Sequence, residues 1–180
     1  MNKKLSMDEL QRISVDEFKK SKKLPVVIVL DNVRSMNNVG SIFRTADAFR
    51  VEHIYLCGIT AQPPHKEIEK TALGATQSVE WTYATSTENV VLELKKQNFQ
   101  IVAIEQVKNS IELQDFNADF NAKTALVFGN EVMGVEQKII DLCHHCIEIP
   151  QLGTKHSFNI SVSVGIVLWH LFLTAKNILR

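Results

Sequence analysis

Val26 to Leu30 reads V-V-I-V-L, a run of apolar and mostly β-branched residues with no polar face to offer water. A strand of this kind fits only where both faces are covered, as in the middle of a parallel sheet. Similar runs return at Phe99–Glu105 and Thr124–Phe128, and shorter ones at His53–Cys57, Val79–Tyr83 and Cys146–Ile149. The segments between them change period. From Val39 to Arg50, Ile42, Phe43, Ala46 and Phe49 recur at helical spacing, and Lys66–Leu73, Thr87–Gln97 and Val135–Leu142 read as further helices before a long, apolar C-terminal one. Strands alternating with helices predict an α/β fold with a mostly parallel sheet and helices on both faces.

The N-terminal segment is different. Ser6 followed by Glu9 has the spacing of a capping box, and with Met7, Leu10, Ile13 and Phe18 apolar the pattern predicts one helix over residues 6–21. Residues 1–25 carry seven basic side chains against four acidic ones, a net +3 that leaves −3 for the remainder of a chain balanced at 20 and 20. We therefore divide the chain into a basic N-terminal helix or arm, 1–24, and one catalytic-sized domain, 25–180. A basic arm suits contact with phosphates, although the balanced total excludes a histone-like coat. Three cysteines and no leader pattern predict a reducing, cytoplasmic setting without disulfides. Asn159, Ser161, Ser163 and His170 interrupt the apolar run 158–175, so it reads as a buried helix and no membrane span is expected.

Three loops that follow strands carry more polar and small residues than a connection needs, and ligands of open α/β sheets bind beyond the carboxyl ends of strands. The first is N-N-V-G-S-I-F-R-T-A, residues 37–46, with Asn38 at an expected helix cap and Arg44 further along the helix. The second is F-G-N-E-V-M-G, residues 128–134, where Gly129 permits close approach to the backbone and Glu131 can hold a hydroxyl or a cation. The third, residues 149–162, is I-P-Q-L-G-T-K-H-S-F-N-I-S-V, with Ser157 and Asn159 opening the last helix. Each loop alone is compatible with plain capping.

Taken together and in this order, the three segments resemble the signature motifs of the SpoU, or TrmH-type, RNA 2′-O-ribose methyltransferases of the SPOUT superfamily, over about residues 25–175. The resemblance implies a C-terminal trefoil knot, a homodimer with active sites at its interface, and S-adenosylmethionine as methyl donor. It implies a cofactor site made from Ile104, Glu105, Gly129, Ile149, Leu152, Ser157 and Phe158, and catalysis and RNA placement by Asn38, Arg44, Glu131, Ser157 and Asn159. The RNA would be transfer RNA in preference to ribosomal RNA. A non-catalytic RNA-binding protein of the same fold, or an enzyme methylating an RNA base, remains as an alternative.

Other chemistries fit less well. The second loop lacks a phosphate-loop lysine, since Val135 stands where it would be, and no G-x-G-x-x-G follows a strand. Cys143-His144-His145-Cys146 has a metal-ligand spacing without a second pair, so no metal is expected. His156 beside Ser157 has no nucleophile elbow around it.

Overall fold

A computed structural model describes residues 2–6 and 8–175. Seven strands form one sheet: β1 (Leu24–Asp31), β2 (Val51–Cys57), β3 (Trp81–Ala84), β4 (Gln100–Ile104), β5 (Ile111–Glu112), β6 (Thr124–Phe128) and β7 (His145–Glu148). Their order is β3-β2-β1-β6-β4-β7-β5, and every strand pairing is parallel. The expected α/β architecture is therefore present.

The apolar run of β1 serves two cores by alternation. Leu24, Val26, Ile28 and Leu30 face one side, where they pack with α2 (Met36–Ala48), α3 (Lys66–Ala72) and the long α7 (Ile160–Ala175). Val27 and Val29 face the other, against Val90, Val91 and Leu94 of α5 (Thr87–Lys96) and Ile139 of α6 (Gln137–Ile140). Phe43 and Ile42 of α2 are completely buried, so truncating Phe43 to alanine costs about 3–5 kcal/mol. Gly40 permits the close α2–α3 contact: a Cβ there would lie 2.2 Å from the Ile68 carbonyl oxygen.

The N-terminal helix differs from expectation. Ser6 and Glu9 do exchange bonds, with the Ser6 amide 2.7 Å from Glu9 Oε2, but only one 3-10 turn, Asp8–Leu10, follows, and Gln11 turns left-handed at φ 46°. A second box, Ser14 with Glu17, starts the true helix, α1 (Val15–Lys20), whose Phe18 is buried. The run of acceptable helix formers hid the break at Gln11, and Ser14-x-x-Glu17 was a signal of equal strength. Pro25 lies inside β1. Helix α2 starts at Met36 with Ser35 as its cap, accepting from the Asn38 amide at 3.3 Å, so Asn38 sits in the first turn and not at the cap. The short edge strand β5 and the single-turn α4 (Ala75–Ser78) have too few residues to leave a periodic trace, and α6 is shorter than the 135–142 pattern.

Candidate active site

The strand order decides what can meet. β1, β6, β4 and β7 are consecutive neighbours, and at about 4.8 Å per strand their ends span about 14 Å, within reach of one ligand. All run parallel, so the loops after them emerge at one edge. A cleft of about 540 Å³ lies there, in the range of small-molecule sites.

Ile104 and Glu105 from the end of β4, Gly129 and Glu131 after β6, and Ile149, Ser157, Phe158 and Asn159 after β7 all line this cleft. Asn38 borders it through hydrogen bonds. Its side-chain amide donates to Glu131 Oε1 at 3.4 Å, and its Oδ1 accepts from Asn159 Nδ2 at 3.1 Å. One residue of each loop thus joins a single chain of bonds: Glu131, Asn38, Asn159. Asn159 is also the cap of α7, its Oδ1 accepting from the Ser161 amide at 2.9 Å, a place expected for Ser157 or Asn159 alike. Ser157 is exposed in the cleft wall.

Glu131 is committed to the first loop. Its carboxylate accepts from the Arg34 amide at 3.1 Å and the Ser35 amide at 3.0 Å, so it satisfies donors just before α2. Partial burial pushes its pKa up, but the bonds from Arg34, Ser35 and Asn38 outweigh this and hold it below the ordinary 4.5. Glu105 is similarly engaged: Oε2 accepts from the Val135 amide at 2.9 Å and Oε1 from the Gln106 amide at 3.0 Å. The glycines of the second loop are required by the loop itself. A Cβ on Gly129 would lie 2.1 Å from the Gly134 carbonyl carbon, and Gly134, at φ 66°, has Glu105 Oε2 where a Cβ would be.

Asn130 lies in the second motif but was not singled out from the sequence. Its backbone exchanges both bonds with Gly134, at 3.0 and 2.9 Å, and its Oδ1 accepts from the Val132 and Met133 amides. An asparagine between two glycines after a strand is the signal that would have found it.

Two expected site residues lie elsewhere. Leu152 is fully exposed and is not part of the cleft wall. Arg44 is six residues beyond Asn38 on α2, about 9 Å along the axis and roughly two-thirds of a turn round it. It lines a second cavity of about 620 Å³, between the N-terminal segment and α2, together with Arg12, Arg50 and Asp47.

The cleft has a sign. Glu105, Glu131 and Glu148 line it with His156, and among the described residues no lysine or arginine does. Such a wall repels a di- or triphosphate and suits a cation, and Ile104, Phe128, Ile147, Ile149 and Phe158 provide apolar cover for a flat ring. A sulfonium nucleoside such as S-adenosylmethionine has both properties, and the residues present fit it.

Among the described residues no group of three or more His, Cys, Asp or Glu could hold a metal ion, and no helix is long and apolar enough to cross a membrane. Cys57, Cys143 and Cys146 are free thiols, and burial pushes Cys143 up to about 12, far from a thiolate at neutral pH.

Known proteins resemble this chain in sequence and fold. The chain is 35% identical over 150 residues to the tRNA (guanosine(18)-2′-O)-methyltransferase of Aquifex aeolicus, covering 80% of this chain and 67% of that protein. It is 30% identical to a putative TrmH family tRNA/rRNA methyltransferase of Staphylococcus epidermidis, over 87% of this chain and 64% of that one, so it spans about two thirds of these relatives' length. The crystal structure of the A. aeolicus TrmH/SpoU tRNA modifying enzyme superposes with a TM-score of 0.79 at 29% identity, covering 91% of this chain and 81% of that one. The AdoMet-bound rRNA methyltransferase of Sinorhizobium meliloti gives 0.77 at 28% identity, over 91% and 62%. Residues 25–169 match the SpoU rRNA methylase family, and the chain belongs to that family.

Proposed function

We propose that this protein methylates a ribose 2′-hydroxyl of a structured RNA with S-adenosylmethionine as donor, acting as a homodimer in the cytoplasm. The observation that carries the reading is the cleft, lined by Glu105, Glu131 and Glu148, in which the three motif loops are tied together by Glu131, Asn38 and Asn159. Transfer RNA is the favoured substrate, because the A. aeolicus relative at 35% identity is a transfer RNA enzyme.

S-adenosylmethionine supplies a methyl group on a sulfonium, a leaving group that departs neutral. The chain has to orient the ribose oxygen and stabilise the negative charge that develops on it. Ile104, Gly129, Ile149, Ser157 and Phe158 hold the donor, with Glu105 and Glu131 ordering the loops around it. Asn38 and Asn159 sit at the mouth, where amides can hold the ribose. Leu152, out in solvent in one protomer, belongs to the cofactor cover in this reading.

Arg44 acts on the RNA. A guanidinium with a pKa above about 12 is a poor general base, so it clamps the adjacent phosphate and stabilises the negative charge that builds on the ribose oxygen as its proton passes to water. Arg44 lines a different cavity from the cleft of its own protomer, and in this reading it serves the cleft of the partner subunit. The dimer has a surface to form on: Val162, Trp169 and Leu173 are about half exposed and make one stripe of α7, and Trp169 continues into the aromatic group Phe49–Phe172. The knot belongs to the same reading, with the C-terminal part of the domain threaded around the donor. The basic segment 1–24, whose Arg12 lines the Arg44 cavity, adds phosphate contacts to the domain 25–180.

The test is to incubate the protein with methyl-labelled donor and total RNA from cells lacking its gene, then map the product. A new 2′-O-methyl in transfer RNA is expected. Label on a base, or none, overturns the reading.

A further inference from the structure

The second loop is held from behind by residues outside all three motifs. Asp31, the last residue of β1, is 1% exposed, and its Oδ1 accepts from Thr87 Oγ1 at the start of α5, at 2.5 Å, and from Asn32 Nδ2 at 2.9 Å. Asn32 is left-handed at φ 56°, a conformation asparagine tolerates better than most residues. The other end of its side chain is fixed too, since Oδ1 accepts from the Ile59 amide at 3.1 Å. That contact depends on Gly58, where a Cβ would lie 2.0 Å from the same oxygen. With both ends of the side chain pinned, the Asn32 main-chain carbonyl is aimed at Asn130, whose Nδ2 donates to it at 2.8 Å. This bond leaves Asn130 Oδ1 turned towards the Val132 and Met133 amides in the cleft wall.

We infer that Asp31 and Asn32 are positioning residues for the donor loop 129–135: Asp31 fixes the Asn32 side chain, and Asn32 fixes Asn130, which shapes the loop. The inference rests on the proposed donor site for its functional meaning. Asp31 Oδ2 is buried and has no partner at full hydrogen-bond geometry, the Glu136 amide being the backbone donor that acts on the carboxyl. Burial raises the Asp31 pKa, against the opposing bond from Thr87. Around the carboxyl stand Thr87 of α5, Cys57 of β2, and Glu136 and Lys138 at the start of α6, the last two of which pair with each other at 2.9 Å. Lys138 acts on Asp31 only through its field, its ammonium being paired with Glu136, and the bond from Asn32 is what ties the carboxylate to the loop.

Substitution with amide hydrogen exchange on the unliganded protein tests this. Asn32→Gly keeps the left-handed backbone and the carbonyl but loses the pins. Asn32→Asp keeps the size and sets an acceptor against the Asp31 acceptor. Both should accelerate exchange at Val132 and Met133 about tenfold while the β1 and β6 amides stay protected. The exchanged pair Asp31→Asn with Asn32→Asp restores an amide-to-carboxylate bond in the opposite sense, with the Thr87 hydroxyl free to reverse its role, and should restore protection. Calorimetric affinity for S-adenosylhomocysteine should fall about tenfold in both single variants and return in the pair. Wild-type exchange at the loop in both singles, or no recovery in the pair, overturns the inference. A wild-type protein that binds no S-adenosylhomocysteine overturns the donor site instead, while the exchange data still decide whether the loop is held in this way.

Discussion

The two cavities of this molecule are close in size and opposite in charge. Among the described residues, the cleft at the strand ends presents Glu105, Glu131 and Glu148 with no lysine or arginine, whereas the cavity beside α2 presents Arg12, Arg44 and Arg50 against Asp47 alone. Asp47 is itself engaged, its Oδ1 accepting from Ser78 Oγ. A methyl donor that is a cation and a substrate that is a polyanion need such separation, since one basic cleft would draw phosphates into the donor site. The shared element is α2. Its first turn closes the acidic cleft through Asn38, and Arg44 further along it faces the basic cavity.

The largest expected effect breaks the comparison at its basic side. Arg44→Ala should lower turnover by about a thousandfold or more, because the developing charge loses its stabiliser, while donor affinity measured by calorimetry stays within about twofold. A strong loss of donor binding would make Arg44 a donor-binding residue instead of one acting on the RNA and dissolve the distinction. Next in size is Trp169→Lys, which sets a charge in the exposed apolar stripe of α7. Sedimentation should show monomers and activity should fall about a hundredfold, if each active site takes Arg44 from the partner. An active monomer would bring both cavities into the service of one chain.

Most of the fold was readable because its strands are apolar runs and its helices carry a 3.6 period. Val26–Leu30 announced a doubly covered strand, and the structure buries it on both faces. What could not be read was the order in which strands stand side by side, since β6 inserts between β1 and β4 although it follows both in the chain. That insertion is what brings the three loops together. Hydrophobic pattern specifies which face of a strand is buried and not which neighbour it pairs with. The polar residues of the cleft wall, Glu131, Ser157 and Asn159, were visible as polar excess in loops, yet the partners of Glu131 were not: they are main-chain amides of Arg34 and Ser35, and a backbone donor leaves no residue-type signal. Arg44 was legible as a residue but not as a location, because its cavity includes the N-terminal segment whose break at Gln11 the helical pattern concealed.

A smaller effect sharpens the contrast of charge. Arg12→Ala should weaken RNA binding several-fold and reduce the slope of log affinity against log salt by about one, with no change in donor affinity. Salt itself should separate the cavities in the wild-type protein: RNA affinity falls steeply between about 50 and 200 mM, and donor affinity hardly moves. Equal salt sensitivity of the two ligands would mean that phosphates and donor share one field.

The smallest effect concerns the acidic side. Hydrogen bonds from Arg34, Ser35 and Asn38 hold the Glu131 pKa below its ordinary 4.5 against the opposing pull of burial. A carboxylate with a depressed folded-state pKa contributes stability that is complete above its unfolded value and is lost as pH falls through the folded one. Glu131→Gln leaves one oxygen to accept and removes the charge, so its melting temperature should lie slightly below that of the wild type at neutral pH. The two should converge on acidification from about pH 5 to about pH 3, as the wild type loses what the variant never had. Because Glu131 is exposed at the cleft wall, screening keeps this difference to a few degrees. Paired melts across that range check it: a gap that stays constant with pH would mean that Glu131 ties the two loops by shape alone, and that the acidic character of the cleft rests on Glu105 and Glu148.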